Sequence, residues 1–339
     1  MKNSRLMDVF LKKEFLSVAL IVIISIAFSI ANPAFFAMNN LIALLRVSVM
    51  PAIFALGVMV VLIGGGIDFS HLWLGMFAAY TTSKVFSMLQ MNDNIVAPLA
   101  AIFLMSILIG AGLGAFNALL ASKLGVPTFI ATLCSANIMM GVMLRYIGNE
   151  YIFPAEMPIA MINFSNAHVF TYQTAAGATV GLHVSVLITV ALMLITHYIL
   201  RYTMIGRSVF ALGGDIISAQ RIGVSLAKTR FFMFMYAGML YGLGAAITVS
   251  KIQVANPYDF QGRELTIIAA VIIGGTKIIG GGGSVMGVAL GVLLTNLISQ
   301  NLIMIGVRPE FNRFVFGVLI VVAIVVQAIQ EKIRNKGRV

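Results

Sequence analysis

Apolar residues fall along this chain in long blocks separated by short polar stretches. A membrane-spanning helix needs about 20 mostly apolar residues, and ten blocks come close to or pass that length, at roughly 15–31, 41–63, 72–89, 95–121, 128–147, 182–200, 231–250, 265–280, 285–305 and 312–329. The pattern predicts an all-α fold, a polytopic membrane protein of about ten transmembrane helices forming a single domain over 1–339. The first block is followed by Asn32-Pro33 and further spans, with no small-residue cleavage site, so it reads as a retained helix and not a signal peptide. Two polar segments interrupt the series. One, 148–181, contains Pro154, Pro158 and scattered Asn, Thr and aromatic residues and predicts a short amphipathic or irregular segment; the other is 201–230.

Glycines break two of the blocks. Gly64-Gly65-Gly66 ends the second, and Gly274-Gly275 with Gly280 to Gly283 interrupts the eighth. Each glycine in a helix interior costs about 0.8–1 kcal/mol relative to alanine, so both sites predict helix breaks. In lipid, such a break survives only where protein or water satisfies the freed backbone groups. Leu62-Ile63-Gly64-Gly65 and Ile272-Ile273-Gly274-Gly275 share one pattern, which a duplicated half would produce and which chance in low-diversity sequence would also allow. Paired interrupted helices in two halves point to a transport site at a repeat interface.

Asp68 and Ser70 follow the first break. A charge inside a span is expensive and is a functional candidate. If the second helix runs straight, Asp68 sits near its end and caps the third helix, a role Ser70 can share; if the glycines mark a broken segment, it lies deeper. No second carboxylate stands at matching depth, which disfavours a proton relay, and Glu264 reads as a cap at a helix start.

Composition agrees with the membrane reading: the chain is 60% hydrophobic and only 10% charged, against about 25% charged for a soluble domain. The formal charge is +11, and its distribution identifies it as an orientation signal. With the N-terminus inside, all basic residues except Arg46, Lys84, Arg145, Lys251, Arg263, Arg308 and Arg313 fall on or beside the cytoplasmic face. The positive-inside rule then puts both termini in the cytoplasm, 148–181 outside and 201–230 inside, and no nucleic-acid partner is implied. Cys134 stands alone, and His71, His168, His183 and His197 lack metal-ligand spacing, so neither a disulfide framework nor a metal site is expected. No nucleophile elbow occurs, and no catalytic residue is assigned.

The loop 201–230 is the most informative. Gly213-Gly214 punctuate it, Asp215 is a suitable N-cap for IISAQRIG, and Gly223 supplies a stop. Two helical turns are marginal alone, so Ile216, Ile217 and Ile222 need a surface. That surface is either the lipid headgroups, with Arg207 and Arg221 on phosphates, or a groove on a cytoplasmic partner. Within the apolar blocks, Asn117, Ser135, Asn137, Asn296, Ser299, Gln300 and Asn301 can offer hydrogen bonds to a polyhydroxy solute or can join helices, and Asn296 and Gln300 share one helix face. Asn137, Asn296 and Gln300 are the candidates for a substrate path.

IGGGIDFS (63–70) resembles the glycine-glycine-isoleucine-aspartate-leucine-serine signature of permease subunits of bacterial ABC-type sugar importers, the ribose, xylose and galactose class. GRSVFALGGDIISAQRIGV (206–224) resembles that family's cytoplasmic loop, and ELTIIAAVIIGGTKIIGGGGSVMGVALG (264–291) its C-terminal stretch; the three motifs occur in the family's order and spacing across nearly the whole chain. The resemblance implies a bacterial inner-membrane permease in pseudo-symmetric halves, working as a homodimer or heterodimer. It also implies cytoplasmic ATPase subunits that carry the ATP, and an external sugar-binding protein that delivers substrate. By the same resemblance 206–224 holds the coupling helix, with Gly206, Gly213, Gly214, Asp215, Arg221 and Gly223 as its marks. No G-x-x-x-x-G-K-[ST] occurs, so this chain supplies no phosphate loop and needs no cofactor of its own. His71-Leu72-Trp73-Leu74 and Lys277-Ile278-Ile279 depart from the smaller residues usual in the family and put the substrate in question. The rival expectation is an ion-coupled secondary transporter or channel for a small neutral solute, which would need a coupling site that the sequence does not display.

Overall fold

A computed structural model describes residues 15–31, 33–93, 96–173, 179–304, 306–308 and 311–336. The basic N-terminal residues Lys2, Arg5, Lys12 and Lys13, and with them both chain ends whose sidedness the sequence predicts, lie outside those residues. The helices are α1 (Phe15–Ala31), α2 (Met38–Ile63), α3 (His71–Asp93), α4 (Leu99–Ser122), α5 (Thr128–Val142) and α6 (Ile159–Ser165). After a hairpin of β1 (His168–Gln173) and β2 (Thr179–His183) come α7 (Ser185–Tyr202), α8 (Met204–Gly214), α9 (Ile216–Arg221), α10 (Leu226–Ile252), α11 (Glu264–Ile273), α12 (Val285–Met304) and α13 (Phe311–Lys336).

Each of the ten apolar blocks contains a helix. Six helices are long and apolar enough to cross a membrane on those grounds alone: α2, α4, α5 with its π-helical extension to Ile147, α7, α10 and α12. α1 and α13 carry shorter apolar stretches, and α3 has the length with more polar residues. The eighth block is the exception. Its helix, α11, stops at Ile273 after 10 residues, a rise of about 15 Å, half of the hydrocarbon core of about 30 Å. Gly274 and Gly275 end it, as the sequence predicts for a glycine break.

The bundle is organised around α2. From Ala52 to Ile63 every residue of this helix is buried, with α7, α10, α11 and α12 packed around it. Pro51 lies inside the helix and removes one backbone donor, a loss membrane helices tolerate when neighbours re-satisfy the freed carbonyl. The most extensive helix packing joins α4 and α10. Gly110 and Gly114 on α4 face Gly238 and Gly242 on α10, and a Cβ on Gly110 would collide with the Gly238 carbonyl. Backbones thus meet directly, the small-xxx-small mode of membrane packing, and Ser106 Oγ donates to Gly242 O at 2.8 Å across it. This pair of G-x-x-x-G spacings, 110–114 and 238–242, lies inside the apolar blocks, where neither breaks its helix.

Two expectations are corrected. The segment 148–181, predicted to be amphipathic or irregular, holds α6 and a two-stranded antiparallel hairpin whose register runs from Gln173 opposite Thr179 to His168 opposite His183, with a bulge near Phe170. The all-α fold therefore carries one small sheet. His183 closes it: its ring meets Ser185 Oγ and Phe164 O, each at 2.8 Å, and burial pushes its imidazole below the usual range. The loop 201–230 is shorter than expected, because α7 runs to Tyr202 and α10 begins at Leu226. Gly213 and Gly214 are the last two residues of α8, so the helix ends at the predicted punctuation and Asp215 stands between α8 and α9.

Candidate functional site: a junction of three glycine segments

The two glycine breaks fold into the same helix end. In the first, Gly65 N donates to Leu62 O and Gly66 N to Val61 O, each at 3.0 Å; in the second, Gly275 N donates to Ile272 O at 2.9 Å and Thr276 N to Val271 O at 3.2 Å. These are the paired bonds of a Schellman cap, which needs a left-handed residue after the C-cap. Gly65 at φ +80° and Gly275 at φ +86° supply it. The shared Leu/Ile-Ile-Gly-Gly pattern is thus one local structure used twice, as a duplicated half would be.

A third segment meets both. Gly281 N donates to Ile63 O at 2.7 Å, tying the loop after α11 to the end of α2. Gly213, at the end of α8, presses on the same place: a Cβ there would fall on the Ile63 carbonyl and 2.6 Å from Gly281 N. Gly280, at φ +93°, lies against Gly213 and Gly65, and a Cβ on it would stand 2.8 Å from Gly213 O. The site therefore brings together Gly65, Gly213, Gly280 and Gly281, drawn from all three motifs, while Gly64 lies against Met233 and Gly274 against Gly287 of α12. No spacing in the sequence announces that these glycines touch.

Beside the junction stands α9. Asp215 is its N-cap, with Oδ1 accepting from Ser218 N at 2.8 Å. Gly223, at φ +88°, closes its far end, where Val224 N reaches Ala219 O at 3.0 Å. Gly206 lies in the first turn of α8, donating to the Thr203 cap at 3.2 Å, and Arg221 occupies the last turn of α9, where a cation complements the helix dipole. Gly214 touches nothing where a Cβ would be. A cleft of about 510 Å³ opens between Gly64 to Gly66, the end of α8, Ile216, Ile217 and Ile279. Arg230 lines it and donates to Ala121 O at 2.9 Å. Around this mouth Ile217 is 64%, Ile222 76% and Ile279 80% exposed, an apolar surface beside a two-turn helix.

After the first cap the chain turns back into the bundle. The His71 ring packs 6.4 Å from that of Phe54, which precedes Gly64 by ten positions, about 15 Å along α2. The seven steps from Gly64 to His71 reach about 23–25 Å when fully extended, so the segment covers that distance with length to spare. Two threonines of α5 satisfy the freed backbone: Ile67 N donates to Thr128 Oγ1 at 3.3 Å, Phe69 N to Thr132 Oγ1 at 3.1 Å, and Thr132 Oγ1 to Ile67 O at 3.2 Å. Asp68 is carried inside with them and is 1% exposed. Its Oδ1 accepts from Ser70 N at 2.8 Å and Ser70 Oγ at 2.6 Å, an Asx-type turn placed before the helix and not on its first N–H groups. Ser70 precedes α3, its carbonyl accepting from Leu74 N, and its hydroxyl accepts from Asn117 Nδ2 at 2.7 Å. Three buried atoms around it, His71 Nε2, Asn117 Oδ1 and Tyr241 OH, have no hydrogen-bond partner among the described residues.

The substrate-path candidates lie apart from this cluster. Asn296 Nδ2 donates to Ser48 Oγ at 3.1 Å and Gln300 Nε2 to Asn40 Oδ1 at 2.6 Å, so their shared face of α12 is bonded to α2. Asn137 is exposed on α5 and donates to Leu133 O within its own helix. Among the described residues no cluster of three metal-ligating groups occurs.

Comparison with known proteins accords with this architecture. Residues 40–324 match the family described as the branched-chain amino acid transport system permease component. The chain is 31% identical to the ribose import permease protein RbsC of Haemophilus influenzae over 307 residues, covering 91% of this chain and 90% of that one. It is 28% identical to the galactose/methyl galactoside import permease protein MglC of Escherichia coli, covering 97% of each. The autoinducer 2 import system permease protein LsrD of Photorhabdus laumondii is likewise 28% identical, over 93% of this chain and 91% of its own. No solved structure gives a match. The chain belongs to this permease family and is a multi-pass membrane protein.

Proposed function

We propose that this chain is the membrane-spanning subunit of an ATP-driven importer that carries a monosaccharide or similar small polyol across a bacterial inner membrane. Both termini and α9 face the cytoplasm; substrate arrives from an external sugar-binding protein; a second permease copy completes the pathway. ATP is bound and hydrolysed on separate cytoplasmic subunits, which dock on α9 and its exposed isoleucines. The observation that carries the reading is the junction itself. Gly213 connects the α8–α9 segment to the end of α2 and to the loop after α11 through backbone contacts, so a push on α9 reaches both without a flexible side chain between.

A neutral solute fits the interior. A free amino acid brings an ammonium and a carboxylate, each needing a partner inside the bundle. Among the described residues Asp68 is the one buried side chain with a formal charge, and it is engaged with Ser70. The relatives whose printed names specify ribose and galactose align over nine-tenths or more of this chain.

The test is purification from native membrane with mass spectrometry of the co-purifying proteins, followed by reconstitution. The expected result is an ATPase subunit carrying a phosphate loop and a sugar-binding protein, with uptake into liposomes only when all are present with ATP. Uptake by the permease alone, without nucleotide, would replace this reading with an ion-coupled transporter or channel.

A further inference from the structure

A second cavity, of about 420 Å³, lies nearer the start of α8, between the last turns of α7 and the start of α12. Arg201 and His197 enter it from α7 and Arg207 from α8. Among the described residues no acidic one lines it, and neither guanidinium makes a hydrogen bond or ion pair with them. The N-terminus of α12 opens onto the same space at Gly283 and Ser284, adding the partial positive charge of a 20-residue helix. Leu200, Phe210 and Val285 form an apolar wall beside these cations.

We propose that this cavity binds the phosphate headgroup of an anionic phospholipid, with the acyl chains running up the outer face of α7. The surroundings choose a lipid over a soluble anion. Leu187, Val190, Leu194 and Ile195 make α7 exposed and apolar through most of its length, a surface suited to hydrocarbon. At its end Tyr198 and Tyr202 are 62% and 63% exposed with ring centroids 5.6 Å apart, as aromatic residues stand at the headgroup level of a bilayer. The arginines begin where that belt ends. Basic pockets between membrane helices hold lipid headgroups in this way, and arginine matches phosphate oxygens with two parallel donors. The site depends on neither the substrate nor the ATPase. Because it shares α8 with Gly213, its occupancy would also steady the helix that carries the junction.

The experiment is native mass spectrometry of the purified full chain in detergent, titrated separately with phosphatidylglycerol, phosphatidylcholine and inorganic phosphate. Phosphatidylglycerol should remain as an adduct at energies that strip phosphatidylcholine, and R201A/R207A should weaken that adduct about 30-fold, each arginine contributing about a factor of five. The single variant R207Q, on an exposed face, should give the five-fold step if the double variant does not fold. Equal retention of phosphatidylglycerol by R207Q and wild type would overturn the site. Phosphate adducts that persist while the two lipids bind alike would overturn the lipid assignment in favour of a free anion.

Discussion

The two glycine turns begin alike and end differently. Each closes a helix with the same Schellman cap, at Gly64-Gly65 and at Gly274-Gly275, and each delivers the chain to a serine just before the next helix, Ser70 before α3 and Ser284 before α12. The first takes six steps from Gly64 to Ser70 and the second ten from Gly274 to Ser284, four more. The shorter segment runs back along α2 and buries Asp68. In the longer one Ile279 to Gly281 reach Gly65 and Gly213. One cap thus serves an inward segment after α2 and an outward one after α11, and the two segments differ by four residues in length.

That contrast places the largest effect at Gly213. Gly213→Val would push a side chain into the Ile63 carbonyl, an atom held by the Gly281 N–H, so the outward loop and α8 must separate. Transport should fall at least 100-fold and stimulation of the partner ATPase should vanish, while the amount of protein in the membrane stays within about two-fold. Gly214→Val is the control: a Cβ there meets open space, and coupling should stay within about three-fold of wild type. Equal tolerance at the two positions in an ATPase-stimulation assay would break the junction as described.

Shortening the second turn tests the length difference next. Deleting Ile278 to Gly281 gives it the six-step count of the first and removes the Gly281–Ile63 bond. The expected outcome is about a ten-fold loss of transport with the fold retained, read as uptake against membrane content. Gly280→Ala should do less, since it adds left-handed strain of roughly 1–2 kcal/mol and a contact at the Gly213 carbonyl.

The inward turn is tested at Asp68. Asp68→Ala leaves Ser70 N and Oγ buried without an acceptor, at a cost of about 1–3 kcal/mol, and should lower the melting temperature in detergent as well as transport. Asp68→Asn keeps an oxygen at the same place and should retain most of the stability while lowering transport. Wild-type behaviour of Asp68→Asn in both assays would leave the residue a turn-former only.

Much of this was legible in the sequence and some could not be. The helices show because lipid demands long apolar runs, and both breaks show because a glycine cluster cannot remain helical. The N-cap at Asp215 and the stop at Gly223 are local too. Two things left no such mark. Gly213 reads as a loop glycine in the sequence yet ends a helix, because what requires it is the backbone of residue 63. The hairpin at 168–183 was missed because its strands are short and border a polar segment that predicts no sheet.

The smallest effect is expected where α2 and α12 are joined by side chains. Gln300 to Asn40 and Asn296 to Ser48 connect α12, which follows the outward turn, to α2, which precedes the inward one. Interhelical hydrogen bonds of this kind are worth about 0.6 kcal/mol on average in a membrane protein. Gln300→Ala should therefore cost about that much stability, a shift of a degree or two in melting temperature, with the substrate concentration for half-maximal uptake unchanged within two-fold. A ten-fold rise in that concentration at unaltered stability would mean that Gln300 touches the solute, and the seam between α2 and α12 would then be the translocation path. The glycine junction predicts the opposite: if α2 and the loop after α11 are driven through backbone contacts at Gly213 and Gly281, the seam between α2 and α12 only holds the helices in register, and weakening it changes stability more than transport.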